Sequence, residues 1–85
     1  LMDLFDPDGA EIYLKPMDHY VQTGQAMTFH TVVEAARRRG EIAIGYRIAA
    51  KSFDASQAYG VVVNPKKADA ITFTTADKVI VVSES

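Results

Sequence analysis

One amphipathic helix among several strand-forming segments constrains this chain more than any other feature. Residues 29–39 carry apolar side chains at the spacing i, i+3, i+4 and i+7, which places them on one stripe of a helix. Thr28 stands at the N-cap position and Gly40 at the position of a left-handed stop. One helix covers only part of one face of a sheet, so the pattern predicts a small α+β domain. The stripe consists of Phe29, Val32, Val33 and Ala36.

The polar side of the predicted helix agrees with this assignment. Glu34 precedes Arg38 by four residues, which is the favourable order for an ion pair on a helix surface. Three consecutive arginines at residues 37–39 lie in the last turn, where the helix dipole stabilises cations. They and the lysines at 66–67 are predicted to be solvated surface, with contact to phosphate groups or an acidic membrane surface as the alternative.

Five further segments have the patterns of strands. Residues 11–15, 41–48 and 71–74 alternate in polarity, whereas residues 60–64 and 78–83 are largely apolar on both faces. The order β-α-β-β-β predicts a small mixed or antiparallel sheet of about four to five strands beside one main helix. Within residues 41–48, the alternation predicts one face of Ile42, Ile44, Tyr46 and Ile48 and an opposite face of Ala43, Gly45 and Arg47.

The two apolar strands carry more hydrophobic surface than one helix can cover. An open sheet protects its free face and its edges, often with a second copy of itself. The pattern therefore predicts a homodimer, or docking on a neighbouring domain. The predicted interface residues are Val61, Val63, Val79 and Val81.

The length of 85 residues is that of one domain. We expect residues 1–10 to form the end of an upstream element and a turn at Asp6-Pro7-Asp8-Gly9, and residues 11–85 to form a single domain. The chain begins with Leu1, which suggests a piece of a larger polypeptide. The longest apolar run, residues 79–82, is far shorter than the roughly 20 residues that span a bilayer.

Composition and motifs disfavour several classes of function. The net charge of −2 argues against a nucleic-acid partner, and the absence of cysteine excludes thiol chemistry and disulfides. The glycines form neither a dinucleotide nor a triphosphate motif. His30 and Glu34 supply only half of a zinc site, and Asp18 and His19 would point to opposite sides of a strand. We therefore predict no enzyme activity, no catalytic or metal-binding residue and no cofactor.

Two local alternatives stay open at this point. Weak calcium binding by Asp3, Asp6 and Asp8 is one, although Leu4 and Lys15 stand where an EF-hand loop needs oxygen ligands. Arg47 is the other, because a cation inside a strand needs a partner. We expect an ion pair within the protein, with contact to a ligand as the alternative.

Four motifs carry a resemblance to known proteins: FDPDGAEIYLKP at residues 5–16, AIGYR at 43–47, VVNPKK at 62–67 and TTADKVIVVSE at 74–84. The whole plan is similar to the C-terminal subdomain of regulator-of-potassium-conductance (RCK) modules. More narrowly, the motifs resemble the Castor/Pollux type of ion channel and its bacterial relatives. The resemblance covers nearly the full chain.

The resemblance implies a non-catalytic cytosolic domain that gates a cation channel, senses a ligand and acts through dimerisation. Its partners would be a second copy, an upstream Rossmann-like subdomain, the pore, and an ion or small-molecule ligand. Its place would be the cytoplasmic side of the cell membrane. The alternative is a stand-alone small-molecule-binding module that dimerises and regulates a transporter or an enzyme.

Overall fold

The computed structural model describes residues 11–83 and confirms the α+β class. The predicted turn at residues 6–9 and the three aspartates considered for calcium binding, Asp3, Asp6 and Asp8, lie outside the described residues. Within them, one α-helix accompanies six strands, one more than the upper end of the predicted range. The helix α1 is Phe29–Arg37, and the strands are β1 Glu11–Pro16, β2 Ala26–Thr28, β3 Ile42–Arg47, β4 Val61–Val63, β5 Ala70–Thr72 and β6 Lys78–Ser83.

The strands form two sheets, and all of their pairings are antiparallel. The main sheet has the order β1-β6-β3-β4, so β6 is paired on both sides. The second sheet contains only β2 and β5. The sequence did not predict β2, because its three residues are defined as a strand only by their pairing with the distant β5. Its pairing with β5 therefore removes β5 from the main sheet.

The helix packs on one face of the main sheet, which we call the covered face. The stripe residues Phe29, Val32 and Ala36 are buried there, and Val33 packs at their margin, as predicted. The ring of Tyr46 lies between two phenylalanines, with its centroid 5.9 Å from that of Phe29 and 5.3 Å from that of Phe73. This aromatic cluster fixes the position of α1 over β3.

Three details of the helix differ from the prediction. The helix ends at Arg37, two residues before the predicted end at Arg39. Thr28 occupies the N-cap position, but its side chain makes no capping hydrogen bond. The backbone N–H of His30 instead donates to the carbonyl of Lys67 at 3.4 Å. Glu34 pairs with Arg37 at 3.2 Å rather than with Arg38, since both spacings reach the same carboxylate.

A β-bulge in β3 makes the predicted alternation wrong in the first half of that strand. Ala43 pairs with Val81, and Gly45 pairs with the next residue, Ile80, so Ile44 is one residue too many. Because of the extra residue, the side chains before Ile44 lie on the faces opposite to those predicted. Ile42 is consequently exposed, whereas Ala43 is buried in the core on the same side as Tyr46.

Gly45 is also where β4 approaches β3 most closely. A Cβ atom at this position would lie 2.2 Å from the carbonyl oxygen of Val62 and 3.0 Å from the Cα of Val63. Both are backbone atoms, so the space cannot be regained by turning a side chain. The bulge and the glycine together allow β4 to pair with β3.

We expect Gly45→Ala to lower the melting temperature clearly, by destabilisation of about 1–3 kcal/mol, because β4 must move away from β3. Thermal unfolding followed by circular dichroism measures the effect. Val63→Ala at the paired exposed position is the control and should cost less than about 1 kcal/mol. Equal melting temperatures for wild type and Gly45→Ala would contradict the close approach.

Candidate functional site

The face of the main sheet opposite α1 is apolar, and no element within residues 11–83 covers it fully; we call it the open face. Ile12 and Leu14 of β1 have exposed fractions of 68% and 51%. They pair with Val82 and Ile80 of β6, which are flanked by strands on both sides and are buried. Paired residues of antiparallel strands share a face, so these four side chains form one patch.

The patch continues across β3 and β4. Ile42 pairs with Val82, and Val63 pairs with Gly45 in the row of Ile80, so all of them lie on the open face. Val63 is 61% exposed, and Ile42 is also exposed. The patch is exposed on β1, β3 and β4, whereas Ile80 and Val82 between them are buried. Exposed apolar side chains grouped on one face are typical of an interaction site. The open face is defined by Ile12, Leu14, Ile42, Val61, Val63, Ile80 and Val82.

The four predicted interface residues do not lie together. Val61 and Val63 lie on the open face, whereas Val79 and Val81 are buried under α1 as part of the core. Because β6 is apolar on both faces, its sequence does not show which face the helix covers. The alternate residues of the strand, Ile80 and Val82, share the open face with Val61 and Val63, and they were not among the predicted residues.

Arg47 lies at one end of β3 and holds the segment that connects β3 to β4. Its Nε donates to the carbonyl of Tyr59 at 3.2 Å and its Nη2 to the carbonyl of Ser52 at 3.3 Å. The side chain therefore binds two backbone carbonyls, where the sequence predicted an ion pair. This segment turns back through three successive residues with positive φ, Ala58, Tyr59 and Gly60, and the last of these touches the backbone of Ile48.

Arg47 and Lys78 form a basic cleft at the end of the open face. They are directly opposite each other in the pairing of β3 with β6, so their side chains project from the same face. The cleft has a volume of about 250 Å³. Phe53, at its rim, is 97% exposed. The lining residues are Arg47, Ala49, Ser52, Phe53, Ala76 and Lys78.

A buried carboxylate holds the floor of this region in place. One oxygen of Asp77 accepts the backbone N–H of Ala49 at 2.9 Å, and the other accepts that of Thr74 at 2.8 Å. The backbone carbonyl of Asp77 accepts the N–H of Met17 at 3.0 Å. Asp77 thus ties the turn before β6 to the segment that carries Ser52 and Phe53.

A second polar cluster surrounds the buried Glu41 at the start of β3. Its carboxylate accepts hydrogen bonds from Lys15 Nζ and Tyr20 Oη, each at 2.5 Å. The guanidinium of Arg39 lies 4.5 Å from the centroid of the Tyr20 ring. The cluster joins β1, the end of α1 and β3. The sequence analysis did not predict this cluster, because Lys15 and Tyr20 lie 26 and 21 residues away from Glu41 along the chain.

Burial and hydrogen bonding oppose each other at Glu41. Burial by itself would raise its pKa, but the hydrogen bonds from Lys15 and Tyr20 outweigh this effect, and the pKa lies below its ordinary value. Burial and the hydrogen bond to Glu41 raise the pKa of Tyr20 to about 12. Carboxylate and phenol are therefore both held in their usual ionisation states at neutral pH.

A larger cleft of about 470 Å³ lies between α1 and residues 20–27. His30, Glu34 and Arg38 line its helical wall, and His30 is exposed as predicted. Within residues 11–83, the structure shows no group of three or more acidic, histidine or cysteine side chains that could hold a metal ion. The same residues contain no helix that is long and apolar enough to cross a membrane.

Comparison with known proteins yields no matching family model. The chain is 34% identical over its whole length to 10% of the probable ion channel POLLUX of Arabidopsis thaliana. It is 31% identical over 99% of its length to 9% of the probable ion channel CASTOR of rice, Oryza sativa subsp. japonica. Over 58% of its length it is 41% identical to 6% of the ion channel CASTOR of Lotus japonicus.

The chain is thus a distant homologue of a segment of CASTOR and POLLUX ion channels. It spans about a tenth, or less, of the length of these relatives. The alignment with POLLUX covers all 85 residues, and the alignment with rice CASTOR covers 84 of them.

The Glu41 cluster predicts a loss of stability in acid. Because the folded carboxylate has the lower pKa, the unfolded state binds protons more readily below pH 4.5, the ordinary pKa of the side chain. The stabilisation is complete above that pH and is lost as the pH falls through the folded pKa. Urea unfolding between pH 7 and pH 3 measures it.

Glu41→Gln is the control for this measurement, since it keeps the shape of the side chain without the charge. We expect the free energy of unfolding of the variant to be lower than that of wild type at pH 7. We also expect it to decline less steeply between pH 5 and pH 3. Parallel curves for the two proteins would show that Glu41 does not provide the acid-sensitive stabilisation.

The same cluster predicts the opposite sign in alkali. Neutral Tyr20 is favoured in the folded state, so its contribution is complete below pH 10 and is lost as the pH rises through about 12. Unfolding free energies at pH 9 to 12 should therefore fall more steeply for wild type than for Tyr20→Phe. Equal slopes would contradict the role of the hydrogen bond between Tyr20 and Glu41.

Proposed function

We propose that the chain is a non-catalytic regulatory domain of a cation channel and that it acts through dimerisation. The homology to ion channels along the whole chain supports the channel context. The open face is the observation that carries the proposal, because a regulatory domain transmits its state through contacts with other surfaces. Its place in this proposal is the cytoplasmic side of the membrane, next to an upstream Rossmann-like subdomain, as in RCK modules.

The occupant that we propose for the open face is a second copy of the chain. Sheets pack well face to face when their apolar sides meet in near alignment, as in a β-sandwich. In a symmetric dimer the same patch contacts itself, and an apolar patch is complementary to itself. Apolar surface removed from water contributes about 25 cal/mol per Å², so exposed side chains such as Ile12, Leu14 and Val63 favour association.

Charge also selects the orientation of this dimer. Arg47 and Lys78 lie at one end of the open face, at the last pairs of β3 with β6. A two-fold axis that lies between the sheets and runs across the strands sets these basic ends at opposite ends of the dimer. The like charges then stay apart, whereas an axis parallel to the strands would bring them together. We therefore favour the first arrangement.

We expect Leu14→Glu to weaken self-association by at least about tenfold, because a carboxylate buried without a partner is costly. Light scattering at several concentrations measures the oligomeric state. Leu14 is half exposed within one chain, so the variant should stay folded. Thr31→Glu, on the exposed side of α1, adds the same charge elsewhere and should associate like wild type.

A wild-type chain that is monomeric at high micromolar concentration would contradict the proposed occupant. Equal effects of Leu14→Glu and Thr31→Glu would show that net charge, rather than the open face, governs association. Circular dichroism of each variant shows whether it is folded, so that misfolding is not mistaken for a broken interface.

In the full-length channel, Leu14→Glu should change ion flux or its response to ligand, whereas Thr31→Glu should not. The physical reason is that coupling between a sensor and a pore passes through the interfaces that change with state. Flux into vesicles that contain the purified channel measures the effect. Unaltered flux and unaltered ligand response in a folded channel with a broken interface would refute the gating role.

A further inference from the structure

The basic cleft at the end of the open face has the chemistry of an anion site. Arg47 and Lys78 face each other across the pairing of β3 with β6. No carboxylate within residues 11–83 forms an ion pair with either of them. Two adjacent cations repel each other, and an anion between them relieves that repulsion while it gains charge-assisted hydrogen bonds. Something negative therefore fits between these two side chains.

Arg47 is held in place before any ligand arrives. Its Nε and Nη2 are engaged by the carbonyls of Tyr59 and Ser52, which leaves the other edge of the guanidinium for a further acceptor. Asp77 anchors the neighbouring Ala49 and thereby the segment that forms the far wall. A side chain that is already ordered loses less entropy on binding than a free one.

The remaining lining selects the kind of anion. The hydroxyl of Ser52 is a further potential donor, and Phe53 offers an almost wholly exposed ring at the rim. A volume of about 250 Å³ is smaller than the clefts of roughly 300–1,000 Å³ that hold drug-sized ligands. A small molecule with one anionic group and one flat apolar part would satisfy the cations and cover the ring.

The geometry points to a binding site for a small organic phosphate or carboxylate. Its anionic group lies between Arg47 and Lys78, and its apolar part packs on Phe53. All of the residues of the site belong to one chain, so binding does not require the proposed dimer or the channel role. It should therefore also bind in the Leu14→Glu variant.

Phenyl phosphate is a suitable probe for the test. Titrated into the 85-residue chain and followed by amide NMR signals, it should give saturable shifts at residues 47, 52, 53 and 78. We expect a dissociation constant of about millimolar or tighter for a ligand of this size. Inorganic phosphate should bind more weakly, and phenyl acetate, a neutral ester with the same ring, should not bind. The affinity should fall as salt is added, because ions screen the attraction.

Lys78→Gln is the decisive variant, because no hydrogen bond or ion pair of the Lys78 side chain is seen within the described residues. It should weaken phenyl phosphate by about tenfold or more, which is the effect of removing one charged donor. Lys66→Gln makes the same change of net charge away from the cleft and should leave the affinity within about twofold. Phe53→Ser should lower the affinity for phenyl phosphate nearly to the affinity for inorganic phosphate.

Four results would overturn the inference. One is the absence of saturable shifts up to about 10 mM phenyl phosphate. If Lys78→Gln and Lys66→Gln weakened the binding of phenyl phosphate equally, the attraction would come from the net charge of the protein and not from the cleft. Equal affinities for inorganic and phenyl phosphate in wild type would show that the apolar part of the ligand does not contribute to binding. Binding of an acidic peptide without binding of phenyl phosphate would likewise replace the small molecule by a protein partner.

Discussion

Strand β6 is paired with β1 on one side and with β3 on the other, and it is apolar on both faces. Its residues Val79 and Val81 anchor the core under α1, while Ile80 and Val82 form the centre of the open face. Both the packing of the helix and the surface proposed for dimerisation therefore depend on this one strand. Asp77, directly before it, fixes where the strand begins through hydrogen bonds to Ala49 and Met17 of other segments and to Thr74 of the same turn.

Local patterns predicted the elements whose formation is itself local. The helix was predicted with its start, its apolar stripe and the left-handed Gly40 after it, because all of these lie within a dozen residues; its predicted end lay two residues beyond the observed one at Arg37. The strand at Lys78–Ser83 was predicted with its bounds, since a continuous apolar run between turn residues is unambiguous there. The bulge at Ile44 and the short β2 were not predicted, because each depends on a partner strand that is distant in the sequence.

In the candidate sites, too, local sequence patterns indicated single residues but not their distant partners. Arg47 was singled out because a cation inside a strand is unusual, but its partners are carbonyls of a segment whose path was unknown. Lys78 and Phe53 had no signal of their own; only the strand register and the returning segment bring them to Arg47. Glu41 stood at the start of a predicted strand, yet its hydrogen bonds to Lys15 and Tyr20 required the three-dimensional structure.

The pairing of β1 with β6 joins the first and the last strand of the described chain. Contacts between segments so far apart in sequence close a long loop, which slows folding. During synthesis, β1 leaves the ribosome first but has no partner until β6 has emerged. Ile12 and Leu14, on the exposed side of β1, therefore stay unpaired from the synthesis of β1 until that of β6. During this interval the nascent chain is most prone to incorrect strand pairing.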